Sequence, residues 1–168
     1  MEKIPITKAG FARLKRELEV LKSVSIPENI RDIETARAQG DLSENAEYSA
    51  AKERQSFLHG KVQELENNLA MSDVIELKNL VGGDRAVFGA TVTIADGSTG
   101  KETAYRLVGP LESDLQNNMI SVTSPIGRAL IGKCVGDEVK VSTPGGVREF
   151  EIIDISLGEE DYDISAED

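Results

Sequence analysis

The sequence predicts an α+β protein: an antiparallel coiled-coil hairpin of two long helices, followed by a small β-rich domain. Three observations carry this. Apolar residues recur at spacings of three and four over the first seventy or so positions. A single glycine, Gly40, interrupts that pattern near its middle. After Ser72 the period changes to two, with glycine-rich turns between the alternating runs.

The first helix begins after Thr7, a side chain suited to an N-cap. Phe11, Leu14, Leu18 and Leu21 form one narrow apolar seam. Pro27 disturbs it, because proline removes a helical hydrogen bond and clashes with the preceding turn. The spacing of Ser25 and Glu28 predicts a capping box that restarts the helix after a kink or short break. Ile30 and Ile33 then resume the seam, and the helix should run to about Gln39. The second helix carries Tyr48, Ala51, Gln55, Leu58, Val62, Leu65 and Leu69 at the same spacings. Helices joined so closely lie antiparallel, seam against seam. At about 1.5 Å per residue, each limb makes a rod roughly 45 Å long. Residues 1–75 are assigned to this hairpin.

Residues 76–157 form the β-rich domain. Ala90, Val92 and Ile94 alternate with threonines, and Asp96-Gly97 marks a turn. Tyr105 and Leu107, Ile120 and Val122, and Val139 and Val141 repeat the alternation. Pro144-Gly145-Gly146 is a second turn, and Phe150 and Ile152 begin the last strand. A short helix fits between Pro125 and Ile131, on an antiparallel sheet. Residues 158–168 are acidic and read as a solvated, disordered tail.

Composition narrows the function. The net charge is −11, and residues 76–168 hold 8 basic against 17 acidic side chains. Tight autonomous nucleic-acid binding asks for a basic excess, so a protein partner is expected, with any nucleic-acid contact local. Aromatic residues are 4% and tryptophan is absent, which leaves little to stack on bases. One cysteine, Cys134, excludes an internal disulfide framework and suits a reducing compartment. The N-terminus shows no signal peptide, and no run approaches the roughly 18 apolar residues of a membrane helix. A cytoplasmic protein is expected. His59 has no second histidine or cysteine beside it and reads as a solvated helix residue; Cys134 reads as a packed small residue.

The chemistry concentrates where the two helices meet. Asp41 and Glu44 are three apart, a spacing that lets both project from the first turn of the second helix. The same pattern is that of a helix cap, and acidic groups at a helix N-terminus are favourable in any case. Their position at the end of a rod, with Asn45 and Tyr48 adding polar groups, favours a functional role. A helix terminus keeps carboxylates ionised, which suits metal coordination. Two carboxylates alone make a poor magnesium site, so the other ligands would come from another active site. The bland alternative for the whole rod is a spacer or dimerisation element.

The run Ala36-Arg37-Ala38-Gln39-Gly40-Asp41-Leu42-Ser43-Glu44-Asn45-Ala46-Glu47-Tyr48, with Ala50-Ala51-Lys52-Glu53, resembles the hairpin tip of the bacterial GreA/GreB transcript-cleavage factors. The likeness continues through Val87–Val92, Ile120–Pro125, Ala129–Lys133 and Thr143–Gly146, to about Leu157. It implies an FKBP-like fold for the β-rich domain. It implies a monomer that enters the secondary channel of bacterial RNA polymerase. There Asp41 and Glu44 would help hold the second catalytic magnesium, so that the polymerase hydrolyses the 3′ end of backtracked RNA. The protein would be no enzyme alone and would bind no cofactor alone. Asn45 and Tyr48 would support the tip, Arg37 and Lys52 would contact RNA, and Ser124 and Pro125 would dock on the polymerase. Two other readings stand beside this one. An inhibitory relative would plug the same channel, although the stimulatory proteins carry this tip set. A prolyl isomerase would need an aromatic-lined pocket, hard to build from Phe88, Tyr105 and Phe150 alone.

Overall fold

The computed structural model describes residues 2–40, 45–76 and 85–157. It is α+β, and its chain forms two compact units. One is Ala12–Met71; the other joins residues 1–11 to the chain from Ser72 onward. The first eleven residues, assigned from sequence to the hairpin, therefore belong with the β-rich part.

The helical unit is one long limb folded against another. Helix α1 (Lys8–Val20) begins in the β-rich unit and runs on through a π-helical turn, Leu21–Ser25, into α2 (Ile26–Arg37). The return limb is α3 (Ala46–Met71). The expected capping box at Ser25 does not form. Ser25 is helical and its side chain makes no capping bond. The backbone N–H of Ile26 instead donates to Leu21 O, five residues back. One extra residue in the turn accommodates the proline without breaking the helix.

That extra residue also shifts the seam. Beyond it the buried positions are Asn29, Ile33 and Ala36, facing a limb whose buried positions are Ala51, Leu58 and Leu65. Ile30, expected in the seam, is 46% exposed. The other expected positions of α3, namely Tyr48, Gln55, Val62 and Leu69, are all half-buried. An ion pair, Lys22 Nζ to Glu66 at 2.7 Å, crosses between limbs at half-exposed positions, where such pairs contribute little.

In the β-rich unit, β1 (Ile4–Ile6) pairs in parallel with β2 (Ser72–Val74), so the chain enters and leaves the hairpin side by side. The main sheet holds β3 (Ala90–Asp96), β4 (Glu102–Val108), β5 (Met119–Ser121), β6 (Glu138–Thr143) and β7 (Gly146–Leu157), in the order β5-β4-β3-β7-β6. It is not wholly antiparallel as expected: β5 runs parallel to β4. The connection between them holds two 3-10 turns, Pro110–Glu112 and Leu115–Asn117, which carry the chain back to the start of the sheet edge. The register of β3 on β7 slips between Thr93 and Ile94, leaving Ile153 as the extra residue of a bulge.

The short helix α4 (Pro125–Leu130) covers one face of the sheet. Val92, Ile94, Leu107, Leu130, Val141 and Ile152 make the centre of the core. The β6–β7 hairpin turns on Pro144-Gly145, with Thr143 paired to Gly146. The left-handed backbone is at Gly146, φ 117°.

One buried carboxylate organises the start of α1. Glu112 is 1% exposed. It accepts the backbone N–H of Thr7 at 3.0 Å, the Thr7 hydroxyl, and the backbone N–H of Gly109 at 2.9 Å. Thr7 is the expected N-cap of α1: its Oγ1 accepts the N–H of Gly10 at 3.1 Å. A side chain on Gly10 would strike the Glu112 carboxylate, and one on Gly109 would strike Pro5 O.

Candidate functional site: the hairpin tip

The last turn of α2 loosens before the tip. Ala38 closes the helix with its N–H on Glu34 O at 3.2 Å, and Gln39 and Gly40 make three-residue turns back to Ala36 and Arg37. Gly40 takes φ 120°, a conformation that side-chain-bearing residues avoid. The helix thus stops at Arg37, two residues short of the expected Gln39.

The return limb starts at Ala46, after both acidic residues of the tip. Its side-chain cap is Asn45. Asn45 Oδ1 accepts the N–H of Tyr48 at 3.1 Å, and Asn45 O accepts that of Ser49 at 3.1 Å. The first turn expected to carry Asp41 and Glu44 is therefore Ala46–Ser49. Asp41 and Glu44 themselves lie outside the described residues.

Asn45 has a second bond. Its Nδ2 donates to Ala36 O at 2.8 Å, tying the end of one limb to the start of the other. One amide thus gives a second donor to a carbonyl at the end of α2, which also accepts the Gln39 N–H, and an acceptor to an N–H at the start of α3. Only an amide offers a donor and an acceptor on adjacent atoms of a short side chain. The sequence predicts Asn45 as tip support but not this double role. The signal was present in the asparagine before Ala46-Glu47, a helix-start pattern.

Tyr48 is half-buried in the first turn of α3, and Lys52 follows four residues on, at a spacing that shares a helix face. Lys52 Nζ donates to Gln55 Oε1 at 2.8 Å. Arg37 is exposed in the last turn of α2, where a cation also complements the helix dipole. Among the described residues, no group of three His, Cys, Asp or Glu side chains is placed to hold a metal. His59 is exposed on α3.

Ser124 and Pro125 open α4. Ser124 Oγ accepts the N–H of Gly127 at 3.1 Å and donates to Ser121 O at 2.6 Å, so its hydroxyl is engaged within the fold. Pro125, at the first helical position, is exposed. What this segment presents outward is the proline ring.

Beside α4 the sheet face opens into a cavity of about 340 Å³ lined by Ile94, Tyr105, Ile126 and Phe150. Tyr105 and Phe150 line it and Phe88 does not, and Asp96, Lys101 and Arg148 share the lining. Its rim is charged. Arg148 donates to Asp96 Oδ2 at 2.6 Å and lies over the Phe150 ring, 5.0 Å from its centre. That guanidinium, with the Ser98 hydroxyl and the Ser98 N–H, holds the Asp96 carboxyl well below the usual carboxylate range.

Two family descriptions match the chain. "Transcription elongation factor, N-terminal" covers residues 4–74, and "Transcription elongation factor, GreA/GreB, C-term" covers residues 81–157. The chain is similar to transcription elongation factor GreA of Syntrophus aciditrophicus, 70% identical over 157 residues, spanning 94% of this chain and 97% of that one. It is similar to the factor of the same name from an Anaeromyxobacter species, 50% identical over 167 residues, 99% of this chain and 100% of that one. Among solved structures, that of GreA factor homolog 1 from Thermus thermophilus is 27% identical, with a TM-score of 0.42 over 92% of this chain and 99% of that one.

Proposed function

This chain belongs to the GreA/GreB family of transcription elongation factors, and from that premise we propose that it stimulates hydrolysis of the 3′ end of backtracked RNA by bacterial RNA polymerase. The hairpin enters the secondary channel, and the tip brings Asp41 and Glu44 to the polymerase active site. The protein acts there as a monomeric cofactor and has no cleavage activity alone.

The observation that carries this reading is the cap at Asn45. A helix start asks for a side-chain acceptor, and Asn45 fills that place. The acidic pair just before it is then not required as the side-chain cap. Carboxylates at the end of a rod, where the two limbs are tied by one amide, suit delivery into a narrow site.

Asp41 and Glu44 would hold a magnesium ion jointly with the polymerase. Two carboxylates supply only part of an octahedral oxygen set, which fits an ion completed by ligands from another site. When bound, that ion supplies charge stabilisation and an activated water. The rest falls to this chain's residues. Asn45 orients the tip, Tyr48 supports it from the first turn of α3, and Arg37 and Lys52 offer positive charge to the RNA. Pro125, with Ser124 shaping the turn, docks on the polymerase surface.

The test uses backtracked elongation complexes with labelled RNA. Added protein and magnesium should shorten the RNA from its 3′ end. Asp41→Asn and Glu44→Gln should each abolish shortening while binding survives. Loss of binding in both would assign the pair a folding role. Binding with slowed elongation and no cleavage by the unaltered protein would assign it to the inhibitory relatives.

A further inference from the structure

Helix α2 carries two faces able to serve as a seam, and the less hydrophobic one is in use. The buried face is Asn29, Ile33 and Ala36. The other is Ile26, Ile30 and Ile33, spaced four and three, a better apolar stripe by composition. The two share Ile33. At about 100° per residue their centres differ by roughly 60° around the helix axis. In the structure Ile30 is left 46% exposed while Asn29 is 2% exposed. Hydrophobic burial alone favours the opposite choice.

Two features offset that preference: a directional bond from Asn29 and the exposure of Arg37. The Asn29 amide is buried between the limbs and donates from Nδ2 to Ala51 O at 2.9 Å. Ala51 is itself buried, and its methyl side chain lets the amide reach the α3 backbone. A polar group buried in a coiled-coil seam costs stability and returns a fixed register. The π-helical turn just before α2 supplies the extra residue that places position 29 in the seam. A roughly 60° turn of α2 toward the Ile26–Ile30 face would carry Arg37 into the seam; the observed rotation keeps Arg37 exposed.

We propose that Asn29 is a positioning residue that selects the rotation of α2, and through it the presentation of Arg37 and the chain entering the tip. For its effect on cleavage this rests on the proposed delivery of the tip to a polymerase; for the rotation it does not. Asn29→Ala removes the directional bond without adding apolar bulk, and releases α2 toward burying Ile30. Asn29→Ala/Ile30→Gln removes the competing driving force and restores the observed rotation.

The experiment is a spin-label distance measurement across the limbs of the full chain. Labels replace the exposed Glu34 and Glu53, with Cys134→Ser in every protein. The unaltered seam should give one narrow distance. Asn29→Ala should give a shifted or second population, and the double variant should return to the single distance. Transcript cleavage at saturating protein should fall several-fold in Asn29→Ala, at unchanged half-saturating concentration, and recover in the double variant. An unchanged single distance in Asn29→Ala overturns the proposal. So does a shifted distance that Ile30→Gln does not reverse. If the unaltered protein supports no cleavage, the delivery reading fails, while the distances still decide the role of Asn29.

Discussion

The carboxylate of Glu112 accepts the backbone N–H of Thr7 at 3.0 Å across 105 positions of sequence. Its two oxygens meet three donors: that N–H, the Thr7 hydroxyl and the Gly109 N–H. Glu112→Ala would leave these buried without a partner. Such groups cost about 1–3 kcal/mol each, so a loss of about 3 kcal/mol or more is expected in urea unfolding of the full chain. Glu112→Gln should cost less, because one amide oxygen still accepts. Equal stability of the alanine variant and the parent would refute this account.

Glycines at three positions should respond in opposite directions. Gly109→Ala and Gly10→Ala push a methyl group into Pro5 O and the Glu112 carboxylate, and should destabilise by about 2 kcal/mol or more. Gly60, inside α3, has nothing within 4 Å of where a Cβ would stand. Gly60→Ala should stabilise by about 0.5–1 kcal/mol through helix propensity. Thermal melts followed by circular dichroism separate the two signs.

Asn45 offers a way to divide a cap from a bridge. Asn45→Ala loses both and should cost about 1 kcal/mol or somewhat more. Asn45→Asp keeps the acceptor for Tyr48 N–H but loses the donor to Ala36 O. It should retain helix stability while amide exchange speeds up near Ala38–Gly40. Slower exchange there in the aspartate variant would contradict the bridging role.

Asp96 should titrate late. Its carboxyl is held below the ordinary value of 3.8, first by Arg148 and then by Ser98. A depressed folded-state pKa contributes stability that is present above the unfolded value. That stability is lost as pH falls through the folded value, so the window lies below about 3.8. Carboxyl chemical shifts followed by NMR through acid should show Asp96 still ionised when most carboxylates have protonated. Arg148→Ala should move its midpoint back up.

The same ion pair bears on the cavity between α4 and the sheet. A pocket for a proline ring is lined mainly by apolar groups. Here Asp96, Lys101 and Arg148 share the lining with Tyr105 and Phe150. A proline-peptide isomerisation assay should show no acceleration by the full chain. Clear acceleration would revive the isomerase reading.

Much of this architecture was legible in the sequence where a local rule acts alone. The α3 seam followed from a three-four spacing that nothing interrupts. Thr7 capped α1, and Pro144-Gly145 turned the last hairpin, because cap and turn chemistry needs only neighbouring residues. The misses share a cause. Ser25 and Glu28 match a capping pattern, yet Pro27 is accommodated by widening one turn, an alternative that local spacing does not distinguish. That one residue turned Ile30 outward and Asn29 inward. Glu112 gave no signal, since its partner lies near the other end of the chain. The parallel β5 also depends on how a connection folds back. At the tip, the cap at Asn45 was readable as a helix start, but its bond to Ala36 O was not.

The pairing of Ile4–Ile6 beside Ser72–Val74 makes the helical hairpin an excursion that returns to its point of departure. Its reach is then an independent variable. Adding a heptad to α1 and a matching one to α3 would lengthen the rod by about 10 Å. The strand register at its root would not change. Rods of other lengths can thus arise by paired insertions alone, with the β1–β2 pairing unchanged.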